Sequence, residues 1–299
     1  MKKILVLWDR TDNQAYDYDD RIRVLGEKLG SEYTLSYAEL RTLEYWIDDS
    51  GWKVLVGDGS RQDLATFNGV YFARWRSYQN ALAAAVYLDA HGVPYKTTEV
   101  RRFPPTNKLG EHAFMAQASI PVPNTVITSV GRLRAQAELY LQKLGLPAVL
   151  KGVEASFGND NFLVTSLDEL IEKLGAYDPY DIFMLQSYVP NNEDYRVVVF
   201  NGEAQVGLKR MRQSNDTHLN NTDKGAVSNI VALSDRQKML AERAAASMSR
   251  SDVAGVDLVS DSVTGKQYVL EVNKMPILFG ATYRSEMISA LAEFIKTIK

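Results

Sequence analysis

Two runs of β-forming residues near the end of the chain, Val253 to Ser260 and Val269 to Asn273, flank the stretch Asp261-Ser262-Val263-Thr264-Gly265-Lys266. This pattern commits the segment to a β-hairpin. Glu271 and Asn273 are two apart, so their side chains share one face of a strand. Folding the hairpin about Thr264 brings Asp257 opposite Glu271. Three hard oxygen donors then converge on one face of an antiparallel pair. Such a set suits Mg²⁺, or Mn²⁺, which takes one or two carboxylates and fills its remaining sites with water and phosphate oxygens. A solvated polar strand face is the other reading of the same residues, and the rest of the chain bears on the choice.

At 299 residues the chain is near the limit of a single core, and two or three subdomains are expected. A net charge of −3 argues against a general binder of nucleic acid or anionic membranes. No apolar run reaches the length of a membrane span. The opening Met1-Lys2-Lys3-Ile4-Leu5-Val6-Leu7-Trp8-Asp9 reads as a first strand rather than a signal peptide. Cysteine is absent, which excludes a disulfide framework, a thiolate zinc site and a thiol nucleophile, and a cytoplasmic location is expected. His91, His112 and His218 have no metal-binding spacing.

The first hundred residues alternate strands (Lys3 to Trp8, Trp52 to Val56, Gly69 to Ala73) with helices (Arg21 to Leu29, Asn80 to Ala90). That alternation predicts an open α/β sheet over residues 1–105, ending at Phe103-Pro104-Pro105. Beyond it the chain is expected to form two α+β lobes, 106–185 and 186–299. The first holds a helix from Asn107 to Ala118, strand Thr125 to Ile127, a Ser129-capped helix to Leu144, strands Pro147 to Val153 and Phe162 to Val164, and a helix opened by a Ser166/Glu169 capping box. Strand Phe183 to Val189 joins it to the second. There, strands Tyr195 to Phe200 and Ala204 to Met211 precede a helix with a Ser234/Gln237 capping box, the hairpin, and a last helix, Ser285 to Ile298.

Several groups along this path are suited to a nucleotide. Lys151 lies in an otherwise apolar strand and must send its ammonium to water or to a partner. The small and polar loop after it, with Ser156 and Gly158, can close over polyphosphate. Lys108 opens the helix after Thr106-Asn107. Gln186, Ser187, Tyr188 and Val189 lie along an extended segment able to read an adenine edge, and Glu193 or Asp194 follows within reach of ribose hydroxyls. Lys209, Arg210 and Arg212 end one strand, and Asn220, Asn221 and Lys224 follow in a polar loop, a concentration of donors that would balance phosphate charge. Arg74 and Arg76 follow a strand of the N-terminal sheet, where open α/β sheets bind ligands, and could clamp a substrate carboxylate. Taken alone, each of these reads at least as well as an ordinary structural feature, and for Lys151, Lys108 and the Gln186 to Val189 segment that plainer reading is favoured.

Taken in order, the pieces resemble the ATP-grasp superfamily, nearest to the branch of the ribosomal-protein S6 glutamate ligase and its glutathione synthetase-like relatives. The matching string is Asn107-Lys108-Leu109, Ile120-Pro-Val-Pro-Asn-Thr125, Val149-Leu-Lys151, Phe183-Met-Leu-Gln186-Ser-Tyr188, Asp194-Tyr-Arg196, Asn221, Val253-Ala-Gly-Val-Asp257 and Glu271-Val-Asn273 followed by Pro276. The resemblance implies an ATP-grasp fold behind an N-terminal α/β domain. It implies that Lys108 and Lys151 contact ATP phosphates, that Gln186 to Val189 frame the adenine and Asp194 the ribose, and that Asp257, Glu271 and Asn273 hold Mg²⁺. Arg210, Asn221 and Lys224 would serve the transferring phosphoryl group. The implied activity is a carboxylate–amine ligase acting through an acyl phosphate, with ATP, an acid and an amine (amino acid, peptide or protein) as partners and a homo-oligomer an open expectation. A kinase acting on a hydroxyl and a non-catalytic ATP-binding module are the alternatives. The chain departs from the family pattern in three places. Only Gly158 remains of a usually glycine-rich loop, Ser187 stands where Glu is common, and Lys274-Met275-Pro276-Ile277 replaces the usual Ser-Pro-Gly after Asn273.

Overall fold

The computed structural model describes residues 1–9, 18–49, 51–57, 59–102, 107–153, 160–211, 227–274, 276 and 284–299. The N-terminal part contains β1 (Lys2–Trp8), α1 (Tyr18–Leu29), β2 (Tyr33–Glu39), β3 (Glu44–Asp48), β4 (Gly51–Leu55), β5 (Gly69–Phe72), α2 (Tyr78–Ala90) and β6 (Tyr95–Lys96). Strands β1, β2, β5 and β6 form the expected parallel sheet in the order β2-β1-β5-β6. One face buries Leu5, Leu7, Val70 and Phe72 against Ala81, Ala84, Ala85 and Leu88 of α2. The segment read as strand Trp52 to Val56 does not join this sheet. It pairs as β4 with β3 in a separate antiparallel hairpin.

The next part contains α3 (Lys108–Gln117), β7 (Thr125–Ser129), α4 (Val130–Ala135), α5 (Ala137–Leu144), β8 (Ala148–Gly152), β9 (Asn161–Val164), α6 (Leu167–Leu174) and β10 (Ile182–Ser187). Its antiparallel sheet runs β7-β10-β8-β9. The single helix expected from Ser129 to Leu144 is two helices. At Gln136 the backbone leaves the helical region (φ −126°, ψ 20°), and both halves pack separately against α6. Ser129 caps the first half as expected, accepting from Arg132 N–H. The Ser166/Glu169 box is half formed. Ser166 accepts from Glu169 N–H, but the Glu169 carboxylate turns to the N–H and hydroxyl of Thr165 instead of closing back on Ser166.

The last part contains β11 (Glu193–Phe200), β12 (Glu203–Met211), β13 (Val227–Val231), α7 (Asp235–Ser247), β14 (Val253–Ser260), β15 (Gln267–Asn273) and α8 (Arg284–Lys296). The antiparallel sheet runs β13-β12-β11-β14-β15, with β15 at an edge. The Ser234/Gln237 capping box that opens α7 is complete. One sheet face packs on α7 through Val197, Val199, Ala241, Ala244, Val256 and Leu258. The other face, through Val198, Phe200, Val206 and Leu208, meets α8, and α8 in turn packs on Ile4, Val6 and Leu25 of the N-terminal part. The C-terminal helix therefore lies in a core shared by the first and last sheets. Just past the helix, Ile298 sits so close to the N-terminal sheet that a Cβ on Gly69 would lie 2.5 Å from its Cγ2. No helix among the described residues is long and apolar enough to cross a membrane.

Candidate active site

The β14–β15 hairpin pairs Ser260 with Gln267, Val259 with Tyr268 and Leu258 with Val269. Continued without interruption, that register would set Leu270 against Asp257 and turn Glu271 to the opposite face, because side chains alternate with a period of two. The structure inserts a bulge at this point, and Asp257 pairs with Glu271, Val256 with Val272 and Gly255 with Asn273. The core supplies the reason. Val269 and Val272 are three apart, yet both belong to the cluster beneath α7, which one extra residue in the strand permits. The same bulge carries Glu271 and Asn273 onto the face of Asp257, the arrangement expected from the sequence. Gly255 is needed beside it, since a Cβ there would lie 2.8 Å from Pro276 Cβ.

Asp257 is held by two arginines. Arg196 on β11 donates to both of its oxygens at 2.8 Å, and Arg210 on β12 approaches Oδ2 at 3.2 Å. Burial pushes the carboxyl up, but the two guanidinium groups outweigh it and hold Asp257 down at about 2. It is therefore ionised at neutral pH. A carboxylate offers about four lone-pair positions, so three of these contacts leave one on Oδ1. Glu271 makes no hydrogen bond or ion pair among the described residues. The buried Asn273 Nδ2 likewise has no hydrogen-bond partner there.

Lys151 approaches from the neighbouring sheet. Its ammonium donates to Gln186 Oε1 at 3.0 Å. Burial pushes it down to about 8; Glu271 and Asp257 counter this, while the like charge of Lys108 adds to it. Lys151, Lys108 and the two carboxylates thus lie within one electrostatic neighbourhood. Lys108 donates to Val153 O at 3.4 Å, at the end of the strand that bears Lys151. Gln186 is itself fixed from behind, donating to Thr125 Oγ1 at 2.8 Å. His112 accompanies it with Nδ1 on Lys108 O and Nε2 3.5 Å from Gln186 Nε2. Burial lowers the His112 pKa, and the neutral ring with its proton on Nδ1 satisfies both contacts.

The remaining candidates divide. Ser187 and Tyr188 use their backbone N–H groups on Asn124 O and Pro147 O, and the Ser187 hydroxyl donates to Leu144 O. Val189 N–H donates to no backbone carbonyl among the described residues. Asp194, expected at the ribose, is turned inward: it is 5% exposed and accepts from Arg210 Nε at 2.6 Å. Burial pushes its carboxyl up to about 6 against the pull of Arg210. Glu193 beside it is the more open carboxylate, bound by Lys209 and by Tyr195 Oη. Arg210, expected at the transferring phosphoryl, lies buried between Asp194 and Asp257. Ser156, Gly158, Asn221 and Lys224 fall outside the described residues, as does the Phe103-Pro104-Pro105 boundary. Arg74 and Arg76 follow β5 at the carboxyl end of the parallel sheet. Lys274, next to Asn273, reaches that same edge, with its ammonium 3.3 Å from Tyr78 Oη and over the Trp75 and Tyr78 rings.

Among the described residues no three His, Cys, Asp or Glu gather in a metal-binding group; the donor set is two carboxylates and an amide. That set fits a hard divalent ion. The two residues stand opposite each other on paired strands, one carboxylate with a free lone-pair position and the other without a hydrogen bond or ion pair among the described residues, and the adjacent amide has an unsatisfied nitrogen suited to a phosphate oxygen. Arg196 and Lys274 were not singled out as site residues from the sequence. Arg196 could have been: it sits two residues after Asp194 on the same strand face. Lys274 could not, because its partners are about two hundred residues away.

A family model for the RimK-like ATP-grasp domain matches residues 105–298. The alpha-aminoadipate–LysW ligase LysX of Saccharolobus solfataricus is 28% identical over 214 residues, covering 69% of this chain and 75% of that protein. The solved structure of the ATP-grasp ligase PsnB complexed with minimal precursor, Mg and ADP superposes with a TM-score of 0.70 at 16% identity, covering 98% of this chain and 97% of PsnB. The D-alanine–D-alanine ligase from Bacillus anthracis does so with a TM-score of 0.65 at 16% identity, over 99% and 97% of the two chains. These two likenesses concern the fold. With the family match covering both lobes and the donor face, the chain belongs to the RimK-like ATP-grasp family.

Proposed function

We propose that the chain is an ATP-dependent carboxylate–amine ligase that joins an amino acid to a peptide, protein or small acid. The observation that carries this reading is the bulged hairpin face, with Asp257, Glu271 and Asn273 set near Lys151. LysX and D-alanine–D-alanine ligase are by name ligases of amino acids, and PsnB is complexed with a precursor, which supports the same class of reaction here. Asp257, Glu271 and Asn273 would hold Mg²⁺, which when bound neutralises triphosphate charge and polarises the group being transferred. Lys151 and Lys108 bind phosphate oxygens. Val189 N–H offers a donor to the adenine edge, with Gln186, Ser187 and Tyr188 shaping the segment around it. Glu193 takes the ribose contact in place of the inward-turned Asp194.

The acid's carboxylate attacks the γ-phosphorus and releases ADP. The amine then attacks the acyl carbon of the resulting acyl phosphate, phosphate leaves, and the amine loses a proton. Arg74 and Arg76 orient the acid, Asn221 and Lys224 serve the transferring phosphoryl group, and Arg210 acts by fixing Asp257. Positioning and charge balance carry such chemistry, so a chain without cysteine loses nothing by it. The test is mass spectrometry of the protein incubated with ATP, Mg²⁺, mixed amino acids and candidate acids. The expected product has the mass of acid plus amine less water, formed with ADP and phosphate. A phosphorylated product formed without any amine would overturn the reading in favour of a kinase.

A further inference from the structure

Arg250 is fully buried and ties its own segment to three others. Its Nε lies 3.0 Å from Glu99 Oε2, in the 3-10 turn Thr98–Arg101 that follows the N-terminal sheet. Its Nη1 lies 2.9 Å from Glu111 Oε1 on α3 and also donates to the carbonyl of Val272. Glu111 is one helical turn beyond Lys108. Val272 lies between Glu271 and Asn273 on an edge strand, where outward carbonyls have no ladder partner. The stretch leading into β14 is tied down further by Asp252, which accepts from the N–H of Thr98 at 2.9 Å and its hydroxyl at 2.8 Å.

Replacing a buried ionic cluster of this kind with apolar residues is often neutral or favourable for stability, so a need for stability alone does not account for it. A guanidinium contributes something else: a rigid planar fork of donors that fixes the relative position of whatever it binds. Here it binds the helix of one proposed phosphate lysine and the backbone between two proposed metal donors. We infer that Arg250 is a positioning residue that sets the β15 donors against α3, so that one Mg²⁺-bound nucleotide meets both. This inference rests on the ligase reading of the site.

The test compares wild type, R250K, and the apolar triple variant R250M/E99M/E111M. Mn²⁺ binding in the presence of ADP is followed by electron paramagnetic resonance, and melting by circular dichroism. The triple variant is expected to melt close to wild type but to bind Mn²⁺ about 10- to 100-fold more weakly, as when partners behind metal ligands are removed. R250K is expected to fall between them. Wild-type Mn²⁺ affinity in a folded triple variant would overturn the positioning role and leave the ligase reading standing; if the triple does not fold, R250K at wild-type affinity does the same. Failure of wild type itself to bind Mn²⁺ with ADP would bring down the metal site and the inference with it.

Discussion

Asp257 accepts three contacts from Arg196 and Arg210, and that pairing decides how the site answers to mutation. Removing Arg196 leaves a buried carboxylate short of its main partner, a loss of about 3–5 kcal/mol for a broken buried pair. R196M is therefore expected to lower the urea midpoint sharply, and an unchanged midpoint would show that Arg210 alone suffices. Glu271 is the opposite case. It makes no hydrogen bond or ion pair among the described residues, and on the proposed reading it serves ligand binding rather than the fold. E271A is expected to unfold like wild type yet lose roughly 10³-fold in ATP-dependent turnover, the scale of losing a principal transition-state charge contact. Lys151 sets a pH dependence. Burial holds its ammonium at about 8, and bound phosphates would raise that value. ADP affinity is thus expected to be flat below pH 8 and to fall as pH rises through it, because binding must then take up a proton. K151M should bind more weakly and without this dependence. Calorimetry at pH 7, 8 and 9 checks both, and a pH-independent wild-type affinity would remove Lys151 from the phosphate site.

The hairpin is the element on which these residues depend. Gly255 has no room for a methyl group against Pro276, so G255A is expected to cost about 1–3 kcal/mol through overpacking. It should also lower turnover by displacing the segment after Asn273; a thermal melt and a steady-state assay read the two effects. Folding about Thr264 gave the pairing of Asp257 with Glu271 but not the register nearer the turn, where Ser260 meets Gln267 rather than Tyr268. The bulge that produces that pairing was not legible, because it is dictated by a core requirement that both Val269 and Val272 face α7. Elsewhere, legibility followed burial. Apolar strands such as β1 and β8 announce themselves. Strand β2 buries only Ala38, and β6 spans two residues, so neither leaves a pattern to read. The break at Gln136 was hidden for a different reason: both halves bury apolar residues and keep a helical sequence, so nothing local marks the junction. Arg250 lies beyond any local rule: Glu99 and Glu111 are 151 and 139 residues away along the chain.

At the scale of the molecule, α8 ties the last sheet to the first. Phe294 packs edge-on to Tyr71 and against Phe200, so it belongs to both cores at once. F294A is expected to cost about 3–5 kcal/mol, the usual range for a truncated core aromatic, and to loosen the N-terminal part together with the large sheet. Hydrogen exchange should show both regions opening together. Lys274, one residue past Asn273, reaches Tyr78 and Trp75 beside the carboxyl end of the N-terminal sheet, so a single short segment joins the donor strand β15 to that edge. The most direct measurement is anomalous diffraction from crystals grown with Mn²⁺ and a non-hydrolysable ATP analogue. The expected map places an anomalous peak between the Asp257 and Glu271 carboxylates, beside Asn273, with phosphate oxygens running from the ion toward Lys151. A nucleotide bound elsewhere, or an ion away from that face, would contradict the account.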